Sequence, residues 1–455
     1  MNHFLHINWH ARDEPGFVQW QKYGGAMIHK SWCHTFLLFV PPEKYFQHHP
    51  EYFSEVNPRT GVARNPEMEK HPEYFSKFYG KRATQFQFQP GAGSLCLTNP
   101  KVVEVATEEA LRWLRQTPEA TYLSVSQNDQ SSWCQCDKCT ALAEREGSLA
   151  GLILHFVNQV ADNISQQFPD VLVSTLAYAY SSPPPRYVKP RRNVVIRYVT
   201  GQCIAPQIPV RQTKELTEIP AWSKITDHLY IWDYTVVFSH YLMPTPNLYT
   251  IPQDIRFFAE HNVKGVFLQA NRAGGGELSE LRSYLFARCL WDPFCDWRAE
   301  IQEFLAAYYG KAAEPIGDYI DALNSPMISK HPDMKPVAGY YMHTFDGPAA
   351  WGMAQILTKQ FIENADVMFD RAEAAVADHP QRLLRVRKER LGLRYVKITR
   401  RKEFFSTPEQ FKKAVEEFAR VATLCNVTYV SDGQLLAPRI EKWREEARST
   451  ATGDE

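Results

Sequence analysis

Two adjacent groups in SVSQNDQSSWCQCDKC (124–139) have types and spacing that could do chemistry. Asn128 and Asp129 end a short β-rich run, and an amide beside a carboxylate can hold a polar substrate while the acid moves a proton. Asn-Asp is equally a turn pair that caps the next element. Cys134, Cys136 and Cys139 follow at C-x-C-x-x-C spacing, which can wrap a tetrahedral metal. A structural zinc takes four ligands, however, and no fourth Cys or His lies within about ten residues. His155 stands sixteen residues beyond Cys139, in a helical pattern. Zinc, a disulfide and free structural thiols all stay open for these three, and no metal site is assigned. No His-Asn context makes any of them a nucleophile.

Similar polar and aromatic residues recur at the ends of other apolar runs: Asn99, Tyr178, Tyr180, Arg197, Tyr198, Trp232, Asp233, Tyr234, Gln269, Asn271, Arg272 and Glu277. Cleaving a glycosidic bond needs an acid for the leaving oxygen and a second group to stabilise the anomeric carbon. Asp129, Asp233 and Glu277 are the carboxylates so placed. In the substrate-assisted variant the sugar's own 2-acetamido carbonyl is the second group, with Asn128 orienting the amide and Asp129 as general acid. Trp232 offers a flat face for a sugar ring or a core filler, and Tyr234 a hydroxyl for the intermediate. Tyr178, Asp233, Gln269 and Asn271 complete the expected binding set. Glu277 follows Gly274, Gly275 and Gly276. It is read either as a helix N-terminal acid or as a second catalytic carboxylate.

Such residues converge only if the runs that carry them are parallel strands with their carboxyl ends on one rim. From about residue 30 to 295, β-branched and aromatic runs alternate with helix-periodic segments, the pattern of βα units. The expected strands are HTFLLFV (34–40), SLCLT (94–98), TYLSVS (121–126), VLVSTLAYAY (171–180), NVVIRYV (193–199), HLYIWDY (228–234) and GVFLQA (265–270), with FLHIN (4–8) a weaker eighth. Helices are expected at 101–116, 151–168 and 251–262. The fold class is therefore α/β, a TIM-type (β/α)8 barrel over 1–297, followed by an α-helical C-terminal domain over 298–455 whose long periodic segments carry charged outer faces. No G-x-G-x-x-G or P-loop follows a strand. HHPEYFSEVNPRTG (48–61) is echoed by KHPEYFSKFYGKR (70–82), a single repetition that suits a duplicated loop element and no solenoid.

Fifty-one basic residues balance fifty-one acidic ones, so no global field favours nucleic acid or an anionic membrane. Aromatics reach 13%, which suits stacking on sugars as well as a large core. No window approaches a membrane span, and the first residues lack a basic-then-apolar leader pattern. Nine cysteines, six of them scattered, argue against a disulfide scaffold. A glycan or glycoprotein is the expected partner, with no cofactor. Two other readings stay open. One is a two-carboxylate glycosidase on a uronic-acid-containing chain, with Arg197 or Arg272 reading the substrate carboxylate. The other is a glycan-binding protein without catalysis.

HTFLLFVPPEKYF with HPEYFS, LCLTNP, SVSQND before C-x-C-x-x-C, FVNQVAD, TLAYAY, IWDY and GELSELRSYLFARCLWDP occur in this order. Together they resemble bacterial proteins of the domain-of-unknown-function 4838 type, grouped with glycoside hydrolase family 163. The resemblance covers roughly 30–310. It implies a TIM-like barrel and an endo-β-N-acetylglucosaminidase that cuts complex N-glycans between the two core N-acetylglucosamines. Characterised relatives are typically exported and carry a domain before the barrel, whereas this sequence begins close to its first expected strand.

Overall fold

The computed structural model describes residues 33–45, 48–53, 94–129, 133–200, 214–237, 239–271, 275–328, 357–431 and 433–452. Its first half holds α1 (Phe36–Phe39), α2 (Pro42–Tyr45), α3 (Pro100–Gln116), β1 (Tyr122–Ser124), α4 (Asp137–Glu146), α5 (Leu149–Ser165), β2 (Leu172–Ala177), β3 (Val194–Val199), α6 (Glu215–Ser223), β4 (Leu229–Tyr234), α7 (Ile251–Glu260), β5 (Val263–Gln269) and α8 (Ser279–Trp291). The five strands form one parallel sheet in the order β1-β2-β3-β4-β5. A doubly wound sheet reverses its strand order, whereas consecutive order with right-handed crossovers keeps the helices on one face. The sheet is accordingly a curled half-barrel.

A closed eight-stranded barrel is not what the described residues form. The run at 4–8 lies outside them, as does the second copy of the HPEYFS repeat. Residues 34–40 turn into α1, because Phe36 and Phe39 are buried while Leu38 is 43% exposed, a spacing that one helical turn satisfies and strand alternation does not. The Thr35 and Phe36 amides both donate to the Ser126 carbonyl, at 3.0 and 3.1 Å, so this segment caps the end of β1 instead of pairing with it. At 94–98 only an isolated antiparallel bridge forms, Leu95 with Phe53. Leu95, Cys96 and Leu97 are all buried without alternation, and the chain turns at Asn99, which caps α3 by accepting from the Lys101 amide at 3.0 Å.

Strand alternation sorts the sheet residues onto two faces. Val173, Val194, Ile196, Tyr198, Leu229 and Ile231 join the main core with Phe156, Val157, Val160 and Ala161 of α5. The opposite, inner face carries Leu176, Val199, Trp232, Tyr234 and Phe267 in a second apolar cluster. Val199, Trp232 and Phe267 lie in register across β3, β4 and β5. Beside them Leu176, Arg197, Tyr230 and Gly265 form the neighbouring row. A Cβ at Gly265 would stand 2.4 Å from the Tyr230 ring, so the glycine lets that ring lie over β5.

Beyond residue 297 the described residues are mainly helical: α9 (Trp297–Tyr309), α10 (Ala313–Ile328), α11 (Lys359–Ala375), α12 (Pro380–Glu389), α13 (Leu391–Thr399), α14 (Arg401–Phe404), α15 (Pro408–Leu424) and α16 (Leu436–Thr452). An unforeseen antiparallel hairpin, β6 (Tyr429–Ser431) with β7 (Gln434–Leu435), interrupts it. Tyr429 packs on the inner-face cluster, and the Tyr241 amide donates to the Val430 carbonyl at 2.9 Å. Core residues from both sides of 297 share one apolar cluster, so a boundary there is proposed on element composition alone. No described helix is long and apolar enough to cross a membrane.

Candidate active site at the carboxyl rim of the sheet

The carboxyl ends of parallel strands converge on one rim, which makes it the place to look for polar side chains without structural duty. Here β1 runs out through Val125, whose amide bonds the Ser174 carbonyl of β2 at 2.8 Å, and through Gln127, whose Nε2 donates to the Ser181 hydroxyl at 2.7 Å and the Leu176 carbonyl at 3.2 Å. Ser126 and Gln127 are buried, which fixes the direction in which the next two residues leave the sheet. Asn128 is half-buried and Asp129 exposed. The Tyr178 hydroxyl, just past β2, donates to Asp129 Oδ1 at 3.0 Å. The carboxylate is exposed at a strand end, oriented by one phenol, and bonded to no cation among the described residues.

His34 joins this group, and sequence reasoning passed over it as the first residue of a strand. Its Nδ1 lies 2.8 Å from the Gln127 carbonyl, its amide donates to the Ser126 hydroxyl at 2.9 Å, and its ring centroid is 6.2 Å from that of Tyr178. Its backbone is left-handed, with φ of 59°, which is uncommon for a residue with a Cβ. The Trp133 and Tyr180 rings lie 5.1 Å apart, tilted by 32°.

The remaining expected site residues have other surroundings. Arg197 is 2% exposed on the inner face, where its guanidinium donates to the Tyr122 and Ser174 hydroxyls at 3.2 and 3.1 Å and lies 5.9 Å from the Trp232 ring. Trp232 is 7% exposed and donates from Nε1 to Gln269 Oε1 at 2.8 Å, with Phe267 edge-on at 5.3 Å. Tyr234 is buried 6.0 Å from Trp232. These rings pack as the floor of the inner face. Asp233, one residue out of phase, belongs to the other face, is 2% exposed, and accepts from the Thr200 hydroxyl at 2.7 Å and the Tyr234 amide at 3.0 Å. Tyr198 donates to Glu218 at 2.7 Å on that side. Asn271 is half-buried after β5, where a Cβ at Gly276 would meet its Oδ1 at 2.6 Å. Arg272 lies outside the described residues.

Glu277 follows the last strand of the sheet and Asp129 the first, so the two stand beyond opposite edge strands. Glu277 is 5% exposed and ion-paired to Arg282 at 2.7 Å, with the Tyr319 hydroxyl donating at 3.4 Å. Burial pushes its carboxyl above the ordinary range, against the pull of Arg282. The same Arg282 donates to the Thr245 carbonyl at 2.9 Å and to Asn247. One residue on, Leu278 has a left-handed backbone, and its amide donates at 2.9 Å to Glu389 of α12. Burial raises the Glu389 carboxyl to about 7, with Lys388 opposing and Glu280 and Glu277 adding to the rise. The start of α8 is thus clamped by buried acids, one of them from the helical region.

The cysteine motif has a fourth member after all. Cys96, from the turn before α3, brings its Sγ to 3.9 Å from those of Cys136 and Cys139, and the sulfurs of Cys96, Cys134, Cys136 and Cys139 all lie within 4.8 Å of one another. All four are free thiols. Cys96 precedes Cys134 by 38 residues, so motif spacing could not reveal it.

A family model described as "Domain of unknown function (DUF4838)" matches residues 60–321. No curated protein matches the sequence. Among solved structures, a GH138 enzyme targeting pectin rhamnogalacturonan II is similar at 8% identity and a TM-score of 0.31, over 72% of this chain and 53% of that one. The chain thus spans about half of that enzyme, and a likeness of this degree carries no argument for fold or function.

Proposed function

The chain belongs to the DUF4838 family, and from that premise we propose that it is a glycoside hydrolase. Within that class we infer an endo-β-N-acetylglucosaminidase that acts on N-glycans by a retaining, substrate-assisted mechanism. The observation that carries this reading is the exposed Asp129 carboxylate, held at 3.0 Å by Tyr178 and adjacent to Asn128 at the carboxyl rim of the sheet. The order of motifs along the chain, which resembles glycoside hydrolase family 163, supports the substrate class.

In this mechanism protonated Asp129 gives its proton to the glycosidic oxygen as the C1–O bond breaks. The 2-acetamido carbonyl oxygen bonds to C1 and forms an oxazolinium ion that keeps its N–H, and Asn128 orients that amide. Tyr178 then donates to the carboxylate that Asp129 has become. Water attacks C1 with Asp129 taking its proton, which restores both the acid and the β-configured sugar. Only one protein carboxylate is required. That agrees with the three candidates, since Asp233 and Glu277 are buried and bonded within the fold while Asp129 is exposed.

A paired-substrate assay tests the mechanism. Aryl glycosides of the chitobiose core are compared with analogues that carry a hydroxyl in place of the 2-acetamido group next to the scissile bond. Turnover of the acetamido series alone is expected. Equal turnover of both would remove the amide from the mechanism and favour a two-carboxylate enzyme.

A further inference from the structure

We propose that Cys96, Cys134, Cys136 and Cys139 bind one structural zinc ion as a tetrathiolate. The inference is independent of the proposed hydrolase activity. Zinc bound tetrahedrally at about 2.3 Å from each sulfur sets neighbouring sulfurs about 3.8 Å apart. The observed separations of 3.9 Å from Cys96 to Cys136 and to Cys139, with all four sulfurs within 4.8 Å, match that polyhedron. A disulfide would bring two sulfurs to about 2.05 Å and leave the other two outside. A four-iron cluster would spread its cysteines one to each iron, further apart than these.

The surroundings fit a closed site. Cys134 and Cys139 are 2% and 0% exposed, Cys96 is 9% exposed, and Cys136 is half-buried. The Thr98 hydroxyl lies 3.2 Å from the Cys139 sulfur, placed to donate to a thiolate and orient it. Four protein ligands leave no position for substrate, so the ion's role is structural. Among the described residues no other group of three or more potential ligands clusters in this way.

The consequence lies five residues back along the chain. Cys134, Cys136 and Cys139 belong to the stretch that leaves Asp129 and enters α4, and Cys96 lies in the turn before α3. One ion would therefore staple the stretch that follows Asp129 to a second turn, distant in sequence.

The test is metal analysis of the full chain, purified under reducing conditions without chelator. One zinc per chain is expected, released when a mercurial converts the four thiolates to mercaptides. Exchange with cobalt should give the absorption bands of a tetrahedral tetrathiolate. Cys96→Ser and Cys136→Ser should each lose the metal, and Cys425→Ser should keep it. If a variant fails to fold, the wild-type stoichiometry and cobalt spectrum still decide. Reduced protein that binds no zinc when supplied with it would overturn the proposal. So would stoichiometric iron, or peptide mapping that finds disulfides among the four.

Discussion

The Tyr178 hydroxyl donates to the Asp129 carboxylate across 3.0 Å, joining the exit of β1 to the exit of β2 at the open rim of the sheet. If Asp129 is the general acid, Asp129→Asn should lower kcat by roughly 10²–10⁴-fold. The residue is exposed, so the melting temperature should hardly move, because an exposed change is worth about 0.5 kcal/mol or less. Tyr178→Phe should cost about ten- to a hundredfold, the worth of one hydrogen bond to a charged group at about 1.5–3 kcal/mol. Full activity in Asp129→Asn would refute the assignment.

Asn128 is assigned to the substrate amide, so its loss should appear in the chemical step. Removing one preorganised donor costs about 10²–10³-fold in kcat. Asn128→Ala should show that loss with little change in KM. A raised KM at constant kcat would instead make Asn128 a ground-state contact.

Glu277 tests the opposite expectation, that a buried carboxylate paired with Arg282 at 2.7 Å serves the fold. Glu277→Gln leaves a buried guanidinium short of its charge partner, a loss of about 3–5 kcal/mol. Denaturant unfolding should show it, while kcat per folded molecule stays near wild type at low temperature. Loss of kcat without loss of stability would return Glu277 to the reaction.

Glu389 gives a pH dependence of definite sign. Its carboxyl is raised from the ordinary 4.5 to about 7, chiefly by burial. The folded state therefore holds a proton there that the unfolded chain has released. The neutral acid's contribution is fully present below about pH 4.5 and is lost as pH rises through about 7. Over that window the loss is about 3 kcal/mol at 1.36 kcal/mol per unit. Glu389→Gln should flatten this part of the stability profile, and chemical denaturation from pH 4.5 to 8 measures it. An unchanged slope would show that other groups set it.

The five central strands were legible because each is a short run of β-branched and aromatic residues buried on both faces. The same signal failed at 34–40, where five apolar residues in a row fit a helical turn as well as a strand. It failed again at 94–98, whose burial comes from a turn and one bridge. At the site, adjacency in sequence displayed Asn128 and Asp129, and strand-end position displayed Tyr178. Cys96 and His34 were not legible, because Cys96 reaches the cysteine cluster and His34 the rim through long-range packing that no local spacing encodes. Glu277 and Asp233 stood at the right positions, but whether a carboxylate faces the rim or the core depends on strand phase and on partners such as Thr200 and Arg282.

Incubation of the purified chain with a glycoprotein that carries complex N-glycans, followed by mass analysis of both products, tests the proposed activity most directly. The expected result is a released glycan one N-acetylglucosamine shorter than the intact one, with that sugar left on the protein, and neither product from Asp129→Asn. Tight glycan binding with no released reducing end, or release of the intact glycan, would contradict it.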